Sequence, residues 1–217
     1  MAKWLALLCL SAWTVEAQNS ASEHVLKVHL SIDQRGNLSE EQLSVAVDQV
    51  RQIWGRVGIS ITSGGYGDPP PPGATRISLR MIRDKVQLGA TPVLAWTSVT
   101  LEGQPAPVVL VSVPALAEFL SGAAVHGRPL NERPQALQNH LLGQAIGRVT
   151  AHELGHYLLQ RGGHAGKGLM RPHYSASDLI APWLNRFHVA DADSQAVRRE
   201  VAGLARLQAD APAETIR

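Results

Sequence analysis

Residues His152-Glu153-Leu154-Gly155-His156 set two imidazoles four positions apart, with a carboxylate directly after the first. On a helix, residues four apart share a face one turn from each other, so both rings can offer a nitrogen to one ion. Glu153 projects to the side of that pair. From there it can reach a water held by the ion without binding the ion itself, as a general base must. The chemistry implied is metal-assisted hydrolysis, with His152 and His156 as ligands and Glu153 as the proton acceptor. A closed structural metal site has no use for such a base.

Zinc in a catalytic site takes three protein ligands and keeps one position open. His164, His173, Asp178 and His188 are the downstream candidates for the third. His164 follows Gly162-Gly163, where a helix must stop and where glycine's acceptance of positive φ lets the chain turn back. It is the preferred ligand. Asp178, in Ser-Ala-Ser-Asp-Leu, is the alternative, reaching the ion from a second helix, and His173 and His188 are more remote. A second reading belongs to another class: an exported, non-catalytic metal-binding domain, which a fourth protein ligand such as Asp178 would favour.

The stretch HELGHYLLQRGGHAGKGLM resembles the zinc-binding region of the metzincin metallopeptidases, whose pattern is H-E-x-x-H-x-x-G-x-x-H followed by a methionine-containing turn. His152, Glu153 and His156 match that pattern. Leu159 stands at its glycine and Gly162 at its third histidine, so His164 arrives two residues late and a short insertion at the helix end reconciles the two. The resemblance implies Zn2+ on His152, His156 and His164, Met170 as the turn methionine beneath the site, and a peptide or protein substrate. It also implies an extended substrate pairing with an antiparallel edge strand, for which Thr91 to Thr100 (TPVLAWTSVT) is the candidate. Tyr174 is either an oxyanion donor or a surface tyrosine.

These residues need elements to hold them. His24 to Ile32 alternates as a half-buried strand does, and Ser39 caps a helix running through Leu43, Val47, Val50, Ile53 and Trp54 to Gly55. Ile59-Ser60-Ile61 begins a second strand. Four prolines at 69–72 exclude helix and central strand there. Strands are expected over 76–83, 92–100 and 107–113, a short helix over 114–120, and the longest helix over Pro134 to Gln160. Gly143, Gly147 and Gly155 within it mark close approach by another backbone. A closing amphipathic helix spans 191–208. Trp54, Trp96 and Trp183 are assigned to the core, and His24, His29, His126, His140 and His188 to core or surface. The order predicts an α/β (α+β) fold with a mixed sheet, and the metzincin resemblance implies that this sheet is mostly parallel with an antiparallel edge strand and packs on the long active-site helix.

The composition fits one globular domain: 217 residues, 45% hydrophobic and 18% charged. A net charge of +2 with scattered arginines gives no footprint for nucleic acid. Residues 1–17 carry Lys3, an apolar run from Trp4 to Trp13 and a small-residue site ending at Ala17, as a secretory signal peptide does. The run is shorter than the roughly 20 apolar residues that span a bilayer. The expectation is a secreted or periplasmic catalytic domain over 18–217, with no stable membrane insertion after signal removal. Its only cysteine, Cys9, would leave with the signal, so neither a disulfide nor a thiolate on zinc is available to the mature chain. Oligomeric state leaves no mark in the sequence.

Overall fold

The computed structural model describes residues 26–33, 38–88 and 91–199. The signal segment, its cleavage point, His24 and the last part of the closing helix lie outside the described residues; 191–199 is helical.

Five strands form the main sheet in the order β2-β1-β3-β7-β6. β1 (Leu26–Asp33), β2 (Ile59–Gly65), β3 (Ala74–Ile82) and β7 (Pro105–Ser112) run parallel, and β6 (Ala95–Val99) closes the edge antiparallel to β7. The fold is therefore the mixed, mostly parallel α/β arrangement with an antiparallel edge strand. Val28, Leu30 and Ile32 alternate with polar residues along β1, as Ile77, Leu79 and Met81 do along β3. That period of two sends the apolar set into one core beneath the helices. His29, Ser31, Arg76 and Ser78 share the opposite face through the same register.

The segment Thr91 to Thr100 is not one strand. β5 (Thr91–Val93) pairs with β4 (Val86–Leu88) in a separate ribbon, and only β6 joins the sheet. The break falls at Leu94, whose carbonyl accepts from Ser112 N at 2.9 Å at the start of the β6 pairing. Trp96 is half-buried at the sheet edge and Trp183 is 58% exposed, so of the three tryptophans only Trp54 is a core residue. Trp96 and Trp183 correct the expectation because an edge strand and a surface turn leave one side of each ring uncovered.

Helix α1 (Glu40–Gly55) starts at Ser39, where a capping box with Gln42 satisfies two end groups. Helix α2 (Val113–Ser121) follows β7, and α3 (Gln135–Leu158) is the long helix. α3 crosses α1 at Gly143 and Gly147. A Cβ at these positions would stand 2.6 Å from Gln42 O and 2.3 Å from Ala46 O, so the two backbones meet where a side chain cannot fit. Trp54 Nε1 donates to Ala151 O at 3.1 Å, tying the helices together at the residue before His152. A short α4 (Ala176–Ile180), capped by Ser175, completes the frame.

Candidate metal centre and cleft

His152 and His156 are both buried on α3, and their Nε2 atoms face each other at 3.2 Å. Their Nδ1 atoms meet backbone carbonyls: His152 to Leu169 O at 2.7 Å and His156 to Arg161 O at 2.9 Å. A carbonyl can only accept, so each Nδ1 carries a hydrogen and Nε2 is the nitrogen of each ring left to offer a lone pair. Burial pulls the His152 imidazole down to about 4, which keeps that ring neutral. Two lone pairs aimed at each other call for an electron-poor atom between them. A tetrahedral zinc with bonds of about 2.0–2.1 Å holds its ligand nitrogens roughly 3.3 Å apart, so the spacing fits.

His164 joins them. Its ring stacks on His152, with centroids 5.3 Å apart, and lies edge-on to His156 at 4.9 Å; one nitrogen from each of the three rings falls within 4.8 Å of the others. Burial, then His156, His173 and Arg161, lower the His164 pKa. Asp178 sits elsewhere: its carboxylate takes Arg171 at 2.6 Å, Arg186 and Ser175 N, and it caps α4. His173 lines the cleft without belonging to the triad, and His188 Nδ1 bonds to Asn185 O.

The turn before His164 differs from the expected one. Neither Gly162 nor Gly163 has positive φ; Gln160 does, at 47°. Gln160 N bonds to Tyr157 O at 3.1 Å and Arg161 N to His156 O at 3.2 Å, the paired bonds of a Schellman helix stop with a residue other than glycine at its left-handed position. The same turn aims Arg161 O at His156. Arg161 is held in place by Asp193, at 2.7 Å, in the helix over 191–199.

Met170 packs on α3 at Gly155, 1% exposed, its Sδ where a Cβ on Gly155 would come within 2.3 Å. Gly155 thus makes room for a side chain rather than for a backbone. The turn is closed by Ala165 N to Met170 O at 2.7 Å and by Leu169 N to His188 O at 2.8 Å. At Gly168, φ is 75° and a Cβ would press on His188 O at 2.6 Å, so conformation and space both require glycine. Tyr174 is committed to this turn. Its hydroxyl donates to Leu169 O at 2.5 Å, its ring stacks on Phe187, and burial first of all raises its pKa.

Glu153 opens onto a cleft of about 620 Å³ walled by Trp96, Phe119, Val149, Pro172 and Leu179. Burial raises its carboxyl pKa, against the pull of His156 and of bonds from Thr97. Thr97 Oγ1 stands 2.9 Å from Glu153 Oε2 and 2.7 Å from Glu153 O. Sequence reasoning missed this partner, and no spacing rule reveals it, because it depends on how β6 stacks on α3.

No family model matches the chain, and no curated protein sequence matches it. Among solved structures, it is similar to archaemetzincin from Methanopyrus kandleri, at 13% identity over 82% of this chain and 96% of that one, with a TM-score of 0.48. A zinc-dependent peptidase from Methanocorpusculum labreanum is 14% identical over 78% of this chain and 99% of its own, with a TM-score of 0.47. Metalloproteinase-II from Bacteroides fragilis is 13% identical over 81% of this chain and 52% of its own, with a TM-score of 0.41.

Proposed function

We propose that the chain is a zinc-dependent peptidase of metzincin-like type that hydrolyses peptide bonds. The observation that carries this reading is the pair of Nε2 atoms 3.2 Å apart, their rings fixed through Nδ1, beside a carboxylate that opens onto an apolar cleft. His152, His156 and His164 hold the ion. Zinc bound there would lower the pKa of a water and polarise the scissile carbonyl. Glu153 takes a proton from the attacking water as its oxygen bonds to the carbonyl carbon. It then returns that proton to the leaving nitrogen as the C–N bond breaks, giving a carboxylic acid and an amine. The raised carboxyl pKa suits both halves of that exchange.

The substrate's backbone has a partner in β6. Leu94 O faces β7, so by alternation Trp96 does too, and the N–H and C=O of Ala95 point to the free edge. A fourth protein ligand would have favoured the non-catalytic reading, and Asp178 is held by two arginines instead. Export through residues 1–17 belongs to the same proposal. Among the described residues no helix is long and apolar enough to cross a membrane.

The test is zinc content together with cleavage of a mixed peptide library, on wild type and Glu153→Gln. Both proteins should hold stoichiometric zinc, and the variant should lose about 10²–10⁴-fold in rate. Cleavage by metal-free protein, or by Glu153→Gln at the wild-type rate, overturns the reading.

A further inference from the structure

Glu153 has one protein partner for its carboxylate among the described residues, and it is a neutral one. No lysine, arginine or histidine forms an ion pair with it there. Among the described residues the only hydrogen bond to either carboxylate oxygen is from Thr97 Oγ1 to Oε2, at 2.9 Å. A carboxylate on a three-torsion side chain needs restraint if it is to meet a water and then a nitrogen from the same position, since misplacement by about 1 Å can cost 10²-fold in rate.

The hydroxyl is well suited to supply that restraint. Thr97 lies on β6, whose pairing with β7 shifts register immediately after it, so its side chain is delivered to α3 at the last regular position of the edge strand. Branching at Cβ limits its χ1 freedom. Its Oγ1 touches both the carboxylate and the main-chain carbonyl of the same residue, at 2.9 Å and 2.7 Å. A hydroxyl has one hydrogen and two lone pairs. With Glu153 ionised, the hydrogen can go to Oε2. With Glu153 protonated, Oε2 can donate to Oγ1 while the hydroxyl hydrogen turns to the carbonyl. Neither state forces the carboxyl group to swing, and Oε1 is left for water and substrate.

We infer that Thr97 is a positioning residue, whose hydroxyl clamps the Glu153 carboxylate through Oε2 and thereby ties the substrate-binding edge strand to the base. This rests on the peptidase reading for its catalytic meaning, though not for the contact itself. A bland alternative is that Thr97 merely fastens β6 to α3, and the two differ in what each atom of the side chain is worth.

Thr97→Val keeps the shape and removes the hydroxyl; Thr97→Ser keeps the hydroxyl and removes the methyl. In the zinc-loaded full chain, Thr97→Val should lower kcat about ten- to a hundredfold with KM within about twofold and zinc content unchanged, while Thr97→Ser stays within about threefold of wild type. A second readout does not depend on turnover. A peptide hydroxamate places a polar head against Glu153, so Thr97→Val should weaken its binding about tenfold when Glu153 is present and leave it unchanged in the Glu153→Ala background, which removes the acceptor that glutamine would keep. Equal losses in the two backgrounds, or a serine variant as impaired as valine, overturn the clamp. Hydroxamate coupling in a protein that cleaves no peptide would sink the peptidase reading and leave the clamp standing; cleavage without coupling would do the reverse.

Discussion

His152, Glu153 and His156 ride on a helix locked against α1 at two glycines, whereas His164 and Tyr174 lie in 159–175, which has neither helix nor strand. The helical half is placed by close packing, and almost any displacement of α3 would drive atoms together. The loop half is placed by main-chain hydrogen bonds and by arginines gathered on Asp178. The helical half is therefore sensitive to volume and the loop half mainly to polar partners, with Gly168 against His188 O the exception.

The largest contrast should come from one substitution made in each half. Gly147→Ala pushes a methyl to 2.3 Å from Ala46 O, a backbone atom that cannot rotate away, and should cost about 3 kcal/mol or more. Gly163→Ala meets nothing within 4 Å, and its φ is not in the left-handed region, so it should be neutral or stabilise by up to about 1 kcal/mol. Urea unfolding of the metal-free proteins measures both, and similar costs would erase the distinction.

Metal affinity should divide along the same line. Removing His152 as His152→Ala takes away a buried ring already oriented by Leu169 O, and zinc affinity should fall by more than the roughly 10–100-fold typical of losing only an outer partner. His164 is exposed and must be ordered as it binds, so His164→Ala should cost less. Competition against a chelator ranks the two, and an equal or reversed ranking would mean the loop is as preorganised as the helix.

The smallest effect belongs to the anchor of α4. Asp178→Asn removes the charge that holds Arg171 and Arg186, and should cost about 1–2 kcal/mol at neutral pH, discounted because Arg186 is half exposed. Burial pushes the Asp178 carboxyl up, but the bonds from Ser175 and the two guanidiniums outweigh it and hold the pKa below its ordinary value. A depressed folded pKa contributes stability above the unfolded value, about 3.9, and loses it as pH falls through the folded one. The gap between wild type and variant, followed by urea midpoints of the metal-free proteins, should thus narrow below about pH 4. A gap that widens there would show that the charge does not anchor this segment.

How much of this was legible in the sequence follows the same division. The 3.6-residue period carried α3, the shared face of His152 and His156, and the close approach at Gly143 and Gly147. The mixed sheet followed from element order, and its antiparallel edge from the resemblance to the metzincins. Within 91–100 the pattern failed, because apolar β-branched residues suit the β4-β5 ribbon and the main sheet equally, and the divide at Leu94 is set by Ser112 across the ladder. The helix stop was assigned to two glycines, yet the paired bonds to His156 O and Tyr157 O hold Gln160 left-handed without one. Thr97 and Glu153 are 56 positions apart and meet only after β6 has been laid across α3.

The two groups that set which nitrogen of each ligand ring bears hydrogen are the carbonyls of Leu169 and Arg161. Every residue type carries a carbonyl, so no point substitution at 161 or 169 deletes either acceptor, and an alanine scan would read there the buried Leu169 side chain and the Arg161–Asp193 ion pair instead. Inserting or removing a single residue between 156 and 161 would instead turn the Arg161 carbonyl away from His156, release that ring from its fixed tautomer and shift His164 along with the turn.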